Sequence, residues 1–155
     1  MHPNAALLQN FYKAFNEKNA SVMRDAYAPT ARFADPVFPN LQGKDIGDMW
    51  TMLCENAQEF RLEASNIEAD DTTGKAHWEA HYLFQGKRRV HNIIDATFRF
   101  ENGKIVQHDD QFDFWRWSRQ ALGAIGLLLG WAPFLQKQVQ GQTKKLLQNY
   151  QRRKK

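Results

Sequence analysis

The chain has 155 residues, the size of one domain, and 43% of them are apolar against 25% charged. That composition supports one core and excludes wholesale disorder. A single cysteine excludes an intramolecular disulfide, so an oxidised secreted scaffold is not expected.

No basic-then-apolar leader opens the sequence, and a cytoplasmic protein is expected. The longest nearly uncharged apolar run is Ala121 to Leu135, 15 residues interrupted by three glycines and a proline. It is too short for an ordinary spanning helix. Charge is split along the chain. Residues 1–115 hold 12 Lys/Arg and all 17 Asp/Glu, whereas residues 116–155 hold 9 Lys/Arg and no acid. The basic cluster Arg152 to Lys155 sits at a chain end, not on a structured face, and no helix-turn-helix, paired zinc or phosphate-loop pattern accompanies it. A nucleic-acid module is therefore not favoured.

Leu7, Leu8, Phe11 and Phe15 recur at helical spacing over residues 4–17. Ser21 can cap a short second helix containing Val22, Ala26 and Tyr27, which ends before Pro29. Ala31 to Phe38 reads as a strand broken by Asp35-Pro36. Asp45 can cap a third helix with Ile46, Met49, Trp50 and Leu53 on one stripe. The period then changes to alternation. Phe60 to Ile67, the stretch around Trp78, Ala80, Tyr82 and Phe84, Arg88 to Phe100, and Ile105 to Trp115 read as strands. The turns between them are Asp70 to Gly74, Gln85-Gly86-Lys87 and Asn102-Gly103. Helices followed by hairpin-linked strands predict an α+β fold, with a curved antiparallel sheet covered by helices. Residues 1–115 form this domain. Residues 116–155 form a basic helical extension, in which Pro133 opens a final helix with Leu135, Val139, Leu146 and Tyr150 on its apolar stripe. That stripe is expected to pack on the domain or on a dimer partner. Peripheral membrane contact by the same helix is the less favoured alternative.

The opening helix Leu8 to Asn16, the Tyr27-Ala28-Pro29-Thr30-Ala31 turn, Phe33-Ala34-Asp35-Pro36 and the Phe98 to Val106 hairpin resemble the SnoaL-like superfamily. That group includes polyketide cyclases, ketosteroid isomerases and nuclear transport factors. The resemblance covers residues 5–115 and implies a cone: a bent sheet around helices with an internal pocket, in proteins that commonly form homodimers through the outer sheet face.

On the last strand His108, Asp110, Phe112 and Phe114 share one face by alternation. The two phenylalanines are core candidates, so His108 and Asp110 are carried inward, where a charged pair must be matched or do chemistry. Asp35 matches the base position of the isomerase branch, and an apolar cavity would raise its pKa. It could equally be a turn cap. The isomerase oxyanion groups are not matched, since Phe11 stands at the tyrosine position with Tyr12 beside it, and Ala96 at the second acid position with Asp95 beside it. His108 and Asp110 fit the acid–base style of the cyclase branch better. Tyr12, Phe33, Phe38, Trp50, Trp78, Tyr82 and Phe112 are the candidate ligand-binding wall.

His77, Glu79 and His81 share the other face of their strand. Alternate residues there are about 7 Å apart, and the two histidines about 13 Å, too far to share one ion. No metal and no cofactor is expected. His91 and Asp95 are outer-face or interface groups that could pair with His77 or Glu79 across strands. The expected function is binding of a small hydrophobic carbonyl compound, with Asp35, His108 and Asp110 as catalytic candidates for isomerase, cyclase or lyase chemistry. The alternative is a non-catalytic ligand-binding or docking domain.

Overall fold

The structure is a computed structural model and describes residues 1–154. Its elements in order are α1 (Pro3–Asn16), α2 (Ala20–Asp25), β1 (Tyr27–Ala34), β2 (Leu41–Gln42), α3 (Lys44–Asn56), β3 (Arg61–Ala69), β4 (Thr73–Phe84), β5 (Arg88–Glu101), β6 (Lys104–Gln111), α4 (Phe114–Leu122), α5 (Ala124–Leu129) and α6 (Pro133–Arg153). One six-stranded sheet has the order β2-β1-β6-β5-β4-β3. All pairings are antiparallel except β1 with β6, so the sheet is mixed.

The sheet closes over α1 and α3 because each helix buries a broad apolar arc. On α1 that arc takes in Leu8, Phe11, Tyr12 and Phe15, and on α3 Ile46, Met49, Trp50 and Met52. These meet Ala31, Phe33, Trp78, Ala80, Ile94, Ala96, Phe98 and Phe100 from the sheet in one core. The hairpin at Asn102-Gly103 has both residues at positive φ (52° and 75°), which matches the twist of the strands that it joins.

Several expected boundaries move. Tyr27 opens β1 instead of closing α2, and the register shift of β1 spans Pro29, which cannot donate to a ladder. Gly43, at φ 56°, precedes α3, and Asp45 lies inside its first turn. The last strand stops at Gln111 because Asp113 caps a new helix, its carboxylate accepting from the Arg116 backbone N–H at 3.2 Å. Phe114 therefore belongs to α4 and not to the strand.

The C-terminal elements lie on the body. Phe114, Trp117, Ala121, Leu135 and Val139 form a second apolar cluster with Val90, packed against Val37, Tyr82 and Phe112. Leu147 and Tyr150 of α6 join the main core, so Leu147 takes the place expected for Leu146, which is exposed. Gln136 and Gln140 donate to the Pro36 carbonyl and Thr143 to that of Val37. Helix α6 thus fastens the loop that carries Asp35. Among the described residues, no helix is long and apolar enough to cross a membrane.

Candidate functional site

Strand β6 turns His108 and Asp110 into the core while Gln107, Asp109 and Gln111 face out, as alternation requires. His108 is 1% exposed and Asp110 4%. His108 Nε2 lies 2.8 Å from Asp110 Oδ1, and its Nδ1 lies 2.7 Å from the Tyr27 hydroxyl. Trp50 Nε1 donates to that hydroxyl at 3.0 Å, and Trp78 Nε1 to Asp110 Oδ1 at 3.4 Å. The two indoles can only donate, which orders the protons. Trp50 gives to Tyr27, Tyr27 gives its O–H to Nδ1, and Nε2–H is given to Asp110. Every proton on this buried line then has an acceptor, and each bond polarises the next. Burial, more than the nearby Asp110 charge, holds the Tyr27 phenol well above its usual pKa, and the Trp50 bond only partly offsets this.

The centre of the cone is full. Rings of Phe98, Phe33, Phe11, Tyr27 and Trp50 stand 4.2, 5.0, 6.0, 6.1 and 6.3 Å from the imidazole, centroid to centroid. The roomy hollow expected from the sequence is therefore filled at this depth, because aromatic side chains enter from α1, α3, β1 and β5 together. Both nitrogens of His108 are engaged, and its side chain is sealed among these rings.

Asp110 differs from His108. Its Oδ2 accepts no hydrogen bond from the described residues, and the sealed, unpartnered polar atoms of those residues are Tyr12 Oη and Arg116 Nε. The Asp110 side chain is nevertheless only 3% exposed. Asp35 shows the same division of labour. Its Oδ1 accepts from the backbone N–H groups of Val37 (2.8 Å) and Phe38 (2.6 Å), the turn-cap arrangement. Its Oδ2 accepts no hydrogen bond from the described residues. Burial pushes the Asp35 carboxyl up to about 7. The two backbone bonds oppose the shift, and the charge of Asp110 adds to it. The turn cap is thus visible in one oxygen of Asp35, and the other accepts no hydrogen bond from the described residues.

Tyr12 points inward although it lies about 100° around α1 from Phe11. The helix is covered on more than one stripe, and Tyr12 is 3% exposed. Its hydroxyl is buried without a partner, and its pKa is raised by burial first and then by Asp110. The Tyr12 ring also floors a cleft of about 280 Å³ between α1 and β3, lined by Gln9, Asn16, Leu62 and Ile67. Phe33, Phe38, Trp50 and Trp78 are buried, and Tyr82 and Phe112 are half-buried at the rim. There Trp117 of α4 donates to the Tyr82 hydroxyl at 2.9 Å, and burial lifts that phenol to about 12. Tyr27 and Trp117 are missing from the sequence-based candidates. Tyr27 sat in a presumed helix, and Trp117 reaches the rim only because α4 folds back over it. The Val37 that joins the Trp117 cluster ties Asp35 to the same roof.

Cys54 is buried and its thiol is pushed up to about 11 by burial, which leaves no ready nucleophile. Ala96 is buried opposite Asp110, and Asp95 faces away on the outer side of β5. No group of three or more metal-ligating side chains is assembled among the described residues.

A family profile for SnoaL-like domains matches residues 8–108, well over half of the chain. The chain belongs to the SnoaL-like domain family. Among solved structures, this SnoaL-like chain is similar to an NTF2-like protein of unknown function from Burkholderia pseudomallei K96243. The identity is 20% over 78% of this chain and 98% of that one, with a TM-score of 0.69. It is also similar to an LEH-like epoxide hydrolase of M. tuberculosis (16% identity, 82% and 96% covered, TM-score 0.66). A third similar structure is a protein of ketosteroid isomerase-like fold from Catenulispora acidiphila DSM 44928, solved in complex with trimethylamine (9% identity, 74% and 91% covered, TM-score 0.65). At these identities the likeness is one of fold, which hosts many chemistries. No curated protein matches the sequence.

Proposed function

We propose that this SnoaL-like domain binds a small hydrophobic carbonyl compound at the rim of the cone, where Asp35 accepts a proton from the carbon next to the carbonyl. The observation that carries this reading is a pair of neighbouring carboxylates, Asp35 and Asp110, each with an Oδ2 that accepts no hydrogen bond from the described residues. They lie within electrostatic reach of each other, and aromatic walls surround them. Burial first, with the Asp110 charge adding to it, moves the Asp35 carboxyl to about 7, where its ionised form can accept a proton. Asp110 is near enough for its charge to act on Asp35, and it is fixed by His108, whose ring is in turn held by Tyr27 and Trp50. In this reading His108 is a positioning residue, Asp35 hands the abstracted proton back to the substrate, and Asp110 holds the substrate. Tyr12, the inner wall and Tyr82 shape the apolar side of the site. A homodimer through the outer sheet face belongs to the same reading.

Filled space around His108 favours a second reading, a ligand-binding domain without chemistry. The two are separated with acetophenone as probe, following exchange of its methyl hydrogens in D2O by NMR alongside the indole signals of Trp78 and Trp117. Catalysis predicts exchange faster than in buffer, rising through pH about 7, and slowed about 100-fold in Asp35→Asn. Indole shifts without added exchange support the non-catalytic reading. Neither shifts nor exchange would remove both.

A further inference from the structure

The segment between α4 and α6 displays its apolar side chains outward. Ile125, Leu127, Leu128, Trp131 and Phe134 are all more than half exposed, with Leu128 at 67% and Trp131 at 74%. Scattered exposed leucines need no explanation, but a contiguous set of this kind does.

This segment is clamped. Gly126 lies against the Ser118 carbonyl and Gly130 against the Ser118 hydroxyl, so close that neither position has room for a Cβ. Ser118 is fully buried, and its hydroxyl donates to the Trp115 and Gly126 carbonyls at 3.0 and 3.4 Å. Trp115 Nε1 donates to the Leu127 carbonyl at 3.2 Å. Two glycines and a serine thus press α5 onto α4 by its small side and leave its large side chains facing out. The Trp131 indole N–H is satisfied by the Leu128 carbonyl at 2.8 Å. Its ring can leave water without stranding a donor.

Cations border the patch. The Arg119 guanidinium stacks over the Trp115 ring at 4.2 Å. The Arg88 guanidinium would meet a Cβ at Gly123, the residue that begins the segment. Lys137 follows Phe134 by three positions on α6 and is exposed. The ion pairs of the described residues include none to these three side chains. No Asp or Glu occurs after Asp113.

We infer that the Ile125–Phe134 surface docks on an anionic lipid bilayer, with the apolar side chains at the headgroup–acyl boundary and Arg88, Arg119 and Lys137 against lipid phosphates and carboxylates. An apolar face containing tryptophan and edged by unpaired cations has this chemistry. A second copy of the chain fits less well. A two-fold contact would set the same acid-free cations of both copies against each other. The apolar stripe of α6 is already buried on the domain, so the inserting element is the α5 segment and not the long basic helix.

The test uses the full chain, sedimented with phosphatidylcholine vesicles with and without phosphatidylserine. Binding to the anionic vesicles is expected, weakening with added salt, together with a blue shift of tryptophan emission. Leu128→Gln combined with Trp131→Gln should lower that binding about tenfold at an unchanged melting midpoint. Arg119→Gln combined with Lys137→Gln should weaken it on anionic vesicles only. No binding to anionic vesicles, or equal binding to both lipids, overturns the inference. So does a dimer, seen by light scattering, that the double apolar variant dissolves while vesicles are ignored.

Discussion

The chain builds a histidine–carboxylate pair twice, each time from residues two apart on one strand. His108 and Asp110 meet at 2.8 Å inside the cone, and His77 and Glu79 at 3.0 Å on its outer face. The distances are nearly the same, but the surroundings differ. The inner side chains are 1% and 3% exposed, whereas the outer ones are 27% and 38%. Outside, Glu79 also takes His91 at 2.7 Å, His77 takes Asp95 at 2.9 Å, and the His81 and His91 rings stack at 4.1 Å. Water and salt screen that lattice, so its members are individually expendable. Inside, each group depends on the next, because an unpartnered polar group there has no water to turn to.

Cutting both networks at the carboxylate is the largest test. Asp110→Ala strands His108 Nε2–H and the Trp78 indole, and at about 1–3 kcal/mol for each buried donor left unsatisfied should lower stability by about 2–4 kcal/mol in urea unfolding. Glu79→Ala should barely move the same transition. If both variants were equally mild, the inner line would not be the tight unit described here.

Next comes the pH dependence of folding. The Asp35 carboxyl is raised from 3.8 to about 7 in the folded chain, so the folded state holds the proton more tightly than the unfolded one. Its contribution is complete below 3.8 and is lost as pH rises toward 7, the reverse of an ion-paired carboxylate. Asp35→Asn should remove that falling limb from a series of melting curves, leaving a flatter profile.

A smaller slope belongs to the outer face. The bond to Asp95, and then that to Glu79, raises the His77 pKa above 6.5. Stability from this group is present below 6.5 and is lost as pH climbs through the raised value. His81 opposes it, its pKa being lowered first by desolvation and then by His91. His77→Gln should therefore make the decline from mildly acidic to neutral pH shallower, and in an Asp35→Asn background should leave a profile that rises there, measurable as melting midpoints.

The smallest effect expected is from Tyr12→Phe. The hydroxyl that it deletes is sealed and unpartnered, so stability should be unchanged or slightly higher. A loss beyond about 1 kcal/mol would mean that the hydroxyl has a partner in solution.

How far the sequence could be read follows from what each signal reports. Alternation in β4 and β6 is a local rule, and it separated Trp78 and Tyr82 from His77 and Glu79, and His108 and Asp110 from Gln107 and Asp109. The Asn102-Gly103 turn is likewise local. Tyr12 is among the wall candidates, but its inward direction was not legible from a single stripe, which describes a helix covered from one side, whereas α1 is covered from two. Tyr27 escaped because only pairing with Ile105, remote in sequence, makes its segment a strand. The filled cone could not be read at all, since strand pattern assigns rings to a face but not to the space that they share. The roof over Asp35 was hidden for the same reason. It depends on Gln136, Gln140 and Thr143 reaching the carbonyls of Pro36 and Val37, about a hundred positions away.

The claim on which the functional account rests is that Asp35 presents a carboxyl able to exchange a proton near neutral pH. Carbon-13 NMR of the labelled side chain, followed across the pH range, reads this directly. The account predicts a midpoint at about 7 for Asp35, well apart from the exposed aspartates. A midpoint near 3.8 would contradict it, leaving Asp35 as a turn cap and the cone as a scaffold without a base.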